Sequence, residues 1–564
     1  MTLNPSLVTI LKTRRSMVPL SFLLILTIVV TACGGSQSHG SHVQSPLSIV
    51  ANTGGDFTRN SNPYNNSLST FWSRGLIYET LLFFNSADNS VKPWLASAYK
   101  YSSDATSVTF TLRQGVKWSD GQPFTSDDVV FTLNLLKKYP AMDYNGIDSS
   151  IKSVTAPDAS TVVVTFTSPN VPILWYLGGQ TWILPKHTWS TVKGDPSQFA
   201  DPNPVGTGPY LFHTFTPQLV TLVKNPNFWQ PGKPQVNELE FPAFDSNDSA
   251  ELALDRGTVD WAGLYIPNIQ QTYINRDPAH NHYWFPPSDI VVLYLNTAKY
   301  PFNLLPVRQA ISSAIDREQI YKVGENGYEP PASPTGLLLP QSKKFLSPSY
   351  ANMTFTVDTN KSISLLEGAG FTMGSDGIFA DKSGKKLSFN IDVVTGYTDW
   401  ITTCQIIASD LKAVGIKANV NTISYDAYYN ALQVGNFDMG ISWTNPGPSP
   451  YFLYYGLLSS QNTAPLGQAA NSNWERWKDA TTDNMLNILA TSLDSAMQQQ
   501  AYDTLQQIMV TELPSIPLVN EPYWYEYSTA HFTGWPDQKH QYAEPSPYQF
   551  PDGEIVLLNL RPVD

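Results

Sequence analysis

VKPWLASAYKYSSDATSVTFTLRQGVKWSDGQPFTSDDVVFTL, residues 91–133, passes from the period of a strand to that of a helix across one turn. Val108, Phe110 and Leu112 alternate with Thr109 and Thr111, the two-residue repeat of a half-buried strand. The segment from Ser119 to Gln122 is a Gly-containing turn, after which Thr125 or Ser126 can accept hydrogen bonds from the free amides that open a helix. Asp127 and Asp128 complement the positive end of that helix. The strand pattern returns in TVVVTFT at 161–167.

Upstream, SPLSIVAN reads as a short apolar strand opening into the Gly, Asn and Pro-rich loop TGGDFTRNSNPYNNS. The spacing of Leu76, Ile77, Thr80 and Leu81 predicts a helix over Ser69 to Leu82, with Phe71 and Trp72 at its start. Downstream, NPVGTGPY is a Pro/Gly turn, two strands meet at Pro217, and a helix carries Leu252, Leu254 and Val259. VVLYLN is apolar throughout, as a strand covered on both faces would be. Val307, Ala310, Ile311, Ala314 and Ile315 keep a 3.6-residue period through PFNLLPVRQAISSAIDREQIYKVG, which predicts one helix ended by Gly324. Strands and helices then alternate from about 360 to 520: the pattern is α/β.

Residues 17–36, MVPLSFLLILTIVVTACGGS, have the apolar length of an export signal rather than of a membrane span. Lys12, Arg14 and Arg15 precede the run, and small residues precede Cys33, so cleavage there would leave a cysteine free to take lipid. Removing residues 1–32 takes away three basic and no acidic residues and leaves 31 Lys+Arg against 47 Asp+Glu. Nucleic acid is excluded as a partner, since phosphate backbones need clustered Lys and Arg and no such cluster follows the signal. With Cys33 lipidated, Cys404 has no disulfide partner, and its place among Ile401, Ile407, Ala408 and Leu411 reads as a buried small hydrophobe. The sequence has no G-x-S-x-G elbow, no H-E-x-x-H and no phosphate loop, so no catalytic residue is assigned. Neither His39 with His42 nor His280 with His282 closes a metal site, and no metal or cofactor is expected.

Six segments in order, YETLLFF (78–84), residues 91–133, NPVGTGPYLF (203–212), KNPNFW (224–229), PFNLLPVRQAISSAIDRE (301–318) and LKAVGIKANV (411–420), resemble the family 5 extracytoplasmic solute-binding proteins of ABC importers. Members take peptides, nickel complexes or oligosaccharides. The resemblance implies an α/β fold of the periplasmic-binding-protein type II kind, two lobes joined by a hinge plus an extra subdomain. The implied layout is a signal peptide (1–32), a flexible tether (33–45), lobe I (46–72, 204–297 and 527–564), a small subdomain inserted in lobe I (73–203) and lobe II (298–526). Hinge strands are expected near 297–300 and 525–528. The implied partners are ABC permease subunits and, through the lipid, the outer face of the cell membrane; a monomer is expected. Gly115, Gly121, Gly206 and Gly208 suit turns with positive φ. Arg113, Asp120, Asp127 and Asp128 are read as structural, as are Arg308 and Asp316 on one helix.

In peptide-binding relatives a strand like FDMGISW ends in a Trp followed three positions later by an Asp that captures the ligand's α-amino group. Here Trp443 is followed by Thr444, Asn445 and Pro446, which leaves that carboxylate out of its expected place. The remaining environment is aromatic faces and side-chain amides: Trp443 with Asn445, Tyr454 with Tyr455, Phe71 and Trp72 with Asn62 and Tyr64, and the C-terminal PYWYEYSTAHFTGWPDQKHQYAEPSPYQF. Such groups fit an oligosaccharide, whose rings stack and whose hydroxyls pair with amides. Phe532 to Pro536, including Trp535, with Gln541-Tyr542-Ala543 also resemble the C-terminal segment of members that bind cello-oligosaccharides. The competing expectation is an oligopeptide ligand, held by main-chain hydrogen bonds. A glycoside hydrolase is the remote one, and it would need a carboxylate pair such as Glu325 and Asp438 across the cleft.

Overall fold

The structure, a computed structural model, describes residues 44–563 except 52, 54, 66–70, 396, 445 and 446 and the side chains of 425 and 426. The export signal and Cys33 lie outside the described residues.

Among the described residues the α/β fold is built on three larger sheets. The first has seven strands, in the order Asn281–Tyr283, Glu526–Ser528, Trp261–Ala262, Leu47–Val50, Glu238–Pro242, Leu219–Lys224 and Tyr210–Thr216. Segments far apart in sequence meet here: Leu47–Val50 pairs in parallel with both Glu238–Pro242 and Trp261–Ala262, and Trp261–Ala262 with Glu526–Ser528. The second sheet has five strands, Lys417–Ile423, Ser388–Val394, Met439–Trp443, Pro287–Leu295 and Ser515–Pro522. Pro287–Leu295 lies between two antiparallel partners. Its alternate side chains feed two cores, Val291, Leu293 and Leu295 on one face and Ile290, Val292 and Tyr294 on the other. That double burial is why VVLYLN has no polar face. The chain passes from the first sheet to the second at 284–286 and returns at 523–525. The outward passage therefore lies upstream of the 297–300 expected from the sequence, because the apolar strand ending at Leu295 already belongs to the five-stranded sheet.

Residues 91–133 fold as read. Ser107–Leu112 pairs with Ala96–Tyr101 and Thr161–Phe166 in a four-stranded sheet that Ile151–Asp158 completes. Ser126–Lys138 is the capped helix. The Asp128 carboxylate accepts from the Thr125 N–H at 3.0 Å, the Lys186 N–H at 2.9 Å and the Trp118 indole at 3.3 Å. One acid thus satisfies a helix end and ties down two neighbouring segments. Arg113 is structural too: its Nε donates to the Trp94 carbonyl at 2.8 Å while its guanidinium lies 4.3 Å from the centre of the Trp229 ring.

Two expected helices differ. Residues 71–81 are turns, not a helix. Gly75 has φ +75°, and the carbonyls of Leu76 and Ile77, which a helix would use internally, accept instead from Tyr210 and Gly208 at 3.0 and 2.9 Å. Gly206 and Gly208 accordingly lack positive φ and serve close approach: a Cβ on Gly206 would lie 1.8 Å from the Ile77 carbonyl oxygen. Gly115 and Gly121 do take the left-handed conformation. The second difference is the 301–324 segment, which forms Leu305–Ala314, breaks at Ile315 and Asp316, and resumes at Arg317–Gln319 and Ile320–Gly324. Arg308 and Asp316 thus lie on different elements. The buried Arg308 donates to the carbonyls of Glu512 and Phe302, both at 2.9 Å, and Asp316 caps the short Arg317–Gln319 turn. Cys404 is buried, and that burial holds its thiol far above the ordinary range.

Candidate solute-binding groove

Two cavities meet at Gln180, Gln549 and Phe550. The first, about 270 Å³, is walled by Tyr64, Phe71, Arg74, Tyr144, Trp182 and Tyr548 among others. The second, about 380 Å³, is reached by Phe84 and Trp175 from one side, Asp289, Leu337 and Gln341 from a second, and Tyr523 and Asp552 from a third. Its walls therefore come from both halves of the chain. A wider depression of about 560 Å³ around Arg308, Arg476 and Trp477 is lined from the five-stranded half alone.

Cross-half contacts stand around the second cavity. Asn89 Nδ2 reaches Ser342 Oγ at 3.3 Å, and Lys344 Nζ donates to the carbonyls of Asp88 and Asn89 at 3.3 and 3.0 Å. The Val171 N–H donates to the Ala490 carbonyl at 2.8 Å, and Trp175 meets Phe452 edge-on at 4.6 Å.

The ionisable groups in these walls are tied to the protein itself. Arg74 donates to the carbonyls of Pro63 and Asn65, at 2.9 and 3.1 Å, and Asp143 accepts from the amides of Ile147 and Asp148, at 3.0 and 2.9 Å. Asp552 accepts from Ser86 and from the Glu544 N–H, and burial lifts it to about 6. Asp289 is half-buried and lines the second cavity, and desolvation lifts its carboxyl to about 8 against hydrogen bonds from Thr444 and the Ile290 amide. The rest of the lining is aromatic rings, hydroxyls and the amides of Gln180, Gln341 and Gln549, with aliphatic and Pro side chains between them.

The residues singled out in sequence divide. Tyr64 and Phe71 line the first cavity, Tyr64 with its hydroxyl held by the Trp182 carbonyl at 2.7 Å. Trp443 ends its strand half-buried, 4.5 Å from Trp400 and 5.9 Å from Tyr397. Its continuation, Gly447 to Pro450, lines the second cavity; Asn445 lies outside the described residues. Tyr455 is half-buried and stacks on Tyr451 at 5.4 Å. The other four sit in the interior. Asn62 is a staple: its Nδ2 donates to the carbonyls of Pro196 and Phe199 and its Oδ1 accepts from the Tyr64 N–H. Trp72 is fully buried among Phe57 and Phe71. Tyr454 donates to the Thr335 carbonyl at 2.9 Å, and Trp535 packs on Trp261 and donates to the Phe532 carbonyl at 3.0 Å. Glu325 is held by Thr403 and Asp438 pairs with Lys299; neither lines either cavity. Trp175, Gln180, Asp289 and Asp552 were missed. Tyr523, Tyr548, Gln549 and Phe550 belong to the C-terminal stretch that had been singled out whole.

A groove walled by segments from both halves of the chain, and bridged by direct contacts across it, has the form of a receptor that encloses a solute. The model of bacterial extracellular solute-binding proteins, family 5 (Middle), matches residues 90–465, and the chain belongs to that family. It is 26% identical over 394 residues to the nickel-binding periplasmic protein of Escherichia coli, covering 67% of this chain and 72% of that one. With the oligopeptide-binding protein AppA of Bacillus subtilis it shares 24% over 531 residues, covering 89% and 92%. A periplasmic oligopeptide-binding protein of an ABC transporter from Thermotoga maritima superposes with a TM-score of 0.82 at 26% identity, covering 92% of this chain and 99% of that one. The same protein bound to mannohexaose gives 0.71, with 92% and 98% covered. The chain is thus an extracytoplasmic substrate-binding protein of an ABC importer, and no described helix is long and apolar enough to cross a membrane.

Proposed function

We propose that this receptor takes an extended oligosaccharide into the two adjoining cavities and hands it, unaltered, to a membrane permease. The observation that carries the reading is the groove wall: rings and side-chain amides line it, while Arg74, Asp143, Asp289 and Asp552 are each engaged by the protein. Sugar rings stack on aromatic faces and sugar hydroxyls pair with amides without a net charge. The mannohexaose complex of the Thermotoga maritima protein supports the same chemistry. Lipid on Cys33 would hold the chain as a monomer on the outer face of the membrane. The lobes would swing about the passages at 284–286 and 523–525, closing because the ligand contacts both halves only in the closed form.

An oligopeptide is the second reading, favoured by the Bacillus subtilis relative, which spans 89% of this chain. Isothermal titration with manno-oligosaccharides, cello-oligosaccharides and peptide pools separates the two. Heat with an oligosaccharide and none with peptides supports the proposal; heat with peptides alone overturns it.

A further inference from the structure

Two carboxyls line the second cavity, Asp289 from the five-stranded half and Asp552 from the start of helix Asp552–Asn559, and no Lys, Arg or His stands among the described residues that line it. The two acids are held differently. Asp552 commits both oxygens to the protein: Oδ1 accepts from the Glu544 N–H at 3.0 Å and the Ser86 N–H at 3.3 Å, and Oδ2 from the Ser86 hydroxyl at 3.2 Å. Asp289 commits one. The Ile290 N–H, at 2.6 Å, and the Thr444 hydroxyl both donate to its Oδ1. Among the described residues no group reaches Oδ2, which is not sealed from solvent and is left to the cavity that Asp289 lines.

The surroundings of Asp289 offer nothing to hold a negative charge. Leu337, Leu338 and Leu453 put apolar surface into the same wall. Across the strand ladder Asp289 stands opposite Glu521. The other ionisable groups near it are Tyr294 on its own strand, Tyr523 beyond Glu521, and Asp552 in the same cavity. The lining residues of 337–342 and 447–453 are uncharged. No neighbour therefore carries the positive charge that favours an ionised acid, and desolvation lifts the carboxyl to about 8. At neutral pH it holds a proton. Because Oδ1 already accepts two donors, that proton stands on Oδ2.

We infer that Asp289 binds the solute as a neutral acid, its Oδ2 hydroxyl donating to an uncharged oxygen of the ligand. A sugar hydroxyl and a peptide carbonyl both present such an oxygen. The inference rests on the reading of the groove as the solute site and assigns one polar anchor within it. An acceptor group fits the second cavity, whereas a ligand carboxylate meets Asp552 with no cation to offset it. Anchoring through a protonated acid also ties affinity to pH. Binding is fully present below about pH 7 and is lost as pH rises through about 8, because ionisation replaces the donor by a charge that repels the oxygen it held.

Isothermal titration of the mature chain with manno-oligosaccharides, cello-oligosaccharides and a peptide pool, in steps from about pH 6 to about pH 9, tests this. An oligosaccharide should bind about tenfold more weakly at about pH 9 than at about pH 7, which is the fall in the protonated fraction of a group titrating near 8. Asp289→Asn presents a donor at every pH, so its affinity should stay level across the range. Glu521→Gln and Asp552→Asn should keep the wild-type fall. Melting curves at about pH 6 show that the variants fold. The peptide arm is read as the difference between wild type and Asp289→Asn, because a peptide's own amine titrates in the same range. A fall with an oligosaccharide that Asp289→Asn abolishes supports both the anchor and the sugar reading. The same result with peptides alone upholds the anchor and overturns the sugar reading. A level wild-type profile in the arm that binds, a fall that survives Asp289→Asn or vanishes in Glu521→Gln, or loss of binding by a folded Asp289→Asn overturns the inference and leaves the function standing. No heat in any arm at about pH 6 overturns both.

Discussion

Two aromatic regions of this receptor are built from the same residue types and do opposite things. Around Trp535 the rings close on one another: Trp261 lies 5.7 Å away, Tyr527 5.5 Å, and Tyr525 stacks on Tyr527 at 4.7 Å. The polar tips of three of these rings are taken by backbone: Trp261 by the Pro545 carbonyl at 2.8 Å, Trp535 by Phe532 at 3.0 Å and Tyr525 by Pro536 at 3.1 Å. Around Trp175 the rings of Phe84, Tyr523 and Phe550 border an unfilled volume. Aromatic density therefore says little by itself about ligand contact; what separates core from wall is whether the neighbours fill the space in front of the ring.

If that contrast is right, Trp535→Ala costs stability and Trp175→Ala costs affinity. The first should lower unfolding free energy by about 3–5 kcal/mol, the usual range for a truncated core aromatic, with ligand affinity unchanged in the folded fraction. Chemical denaturation beside calorimetry checks both halves, and a large affinity loss would move Trp535 to the wall.

An effect spread over pH comes from Asp289. Its folded-state pKa of about 8 lies above that of an unfolded Asp, so the folded protein holds a proton that the unfolded chain has lost. The resulting stability is fully present below about pH 4 and is lost as pH rises through about 8. Asp289→Asn should flatten the decline of melting temperature over that window; an unchanged slope would show that the carboxyl is not enclosed.

Trp175→Ala should weaken oligosaccharide binding by about tenfold, the order of one lost ring contact, with little change in melting temperature. The smallest effect is expected for Lys344→Ala, which removes two hydrogen bonds across the groove mouth. At the level of an exposed polar contact, about 0.5 kcal/mol, it should roughly double the dissociation constant and leave the melting temperature unchanged.

The fold was legible wherever periodicity and capping agree, as in Ser107–Leu112, Ser126–Lys138 and Met439–Trp443. It was misread at 71–81 and 315–316, where local periodicity lost to long-range demands: carbonyls drawn to the Gly206–Gly208 turn, and a break after which Arg317 turns into the core to donate to the Pro517 carbonyl at 2.8 Å. The site was legible in kind and less so in residues. Tyr64, Phe71 and the C-terminal Tyr548, Gln549 and Phe550 do reach a cavity. Asn62, Tyr454 and Trp535 carry the same chemistry turned inward, and only the positions of Pro196, Thr335 and Phe532 reveal it.

Hydrogen exchange with and without a bound manno-oligosaccharide tests the central claim most directly. Slowed exchange is expected together at 174–182, 447–453 and 547–552, the segments that wall the groove from both halves. Protection confined to one half, or centred on the depression at Arg476 and Trp477, would contradict it.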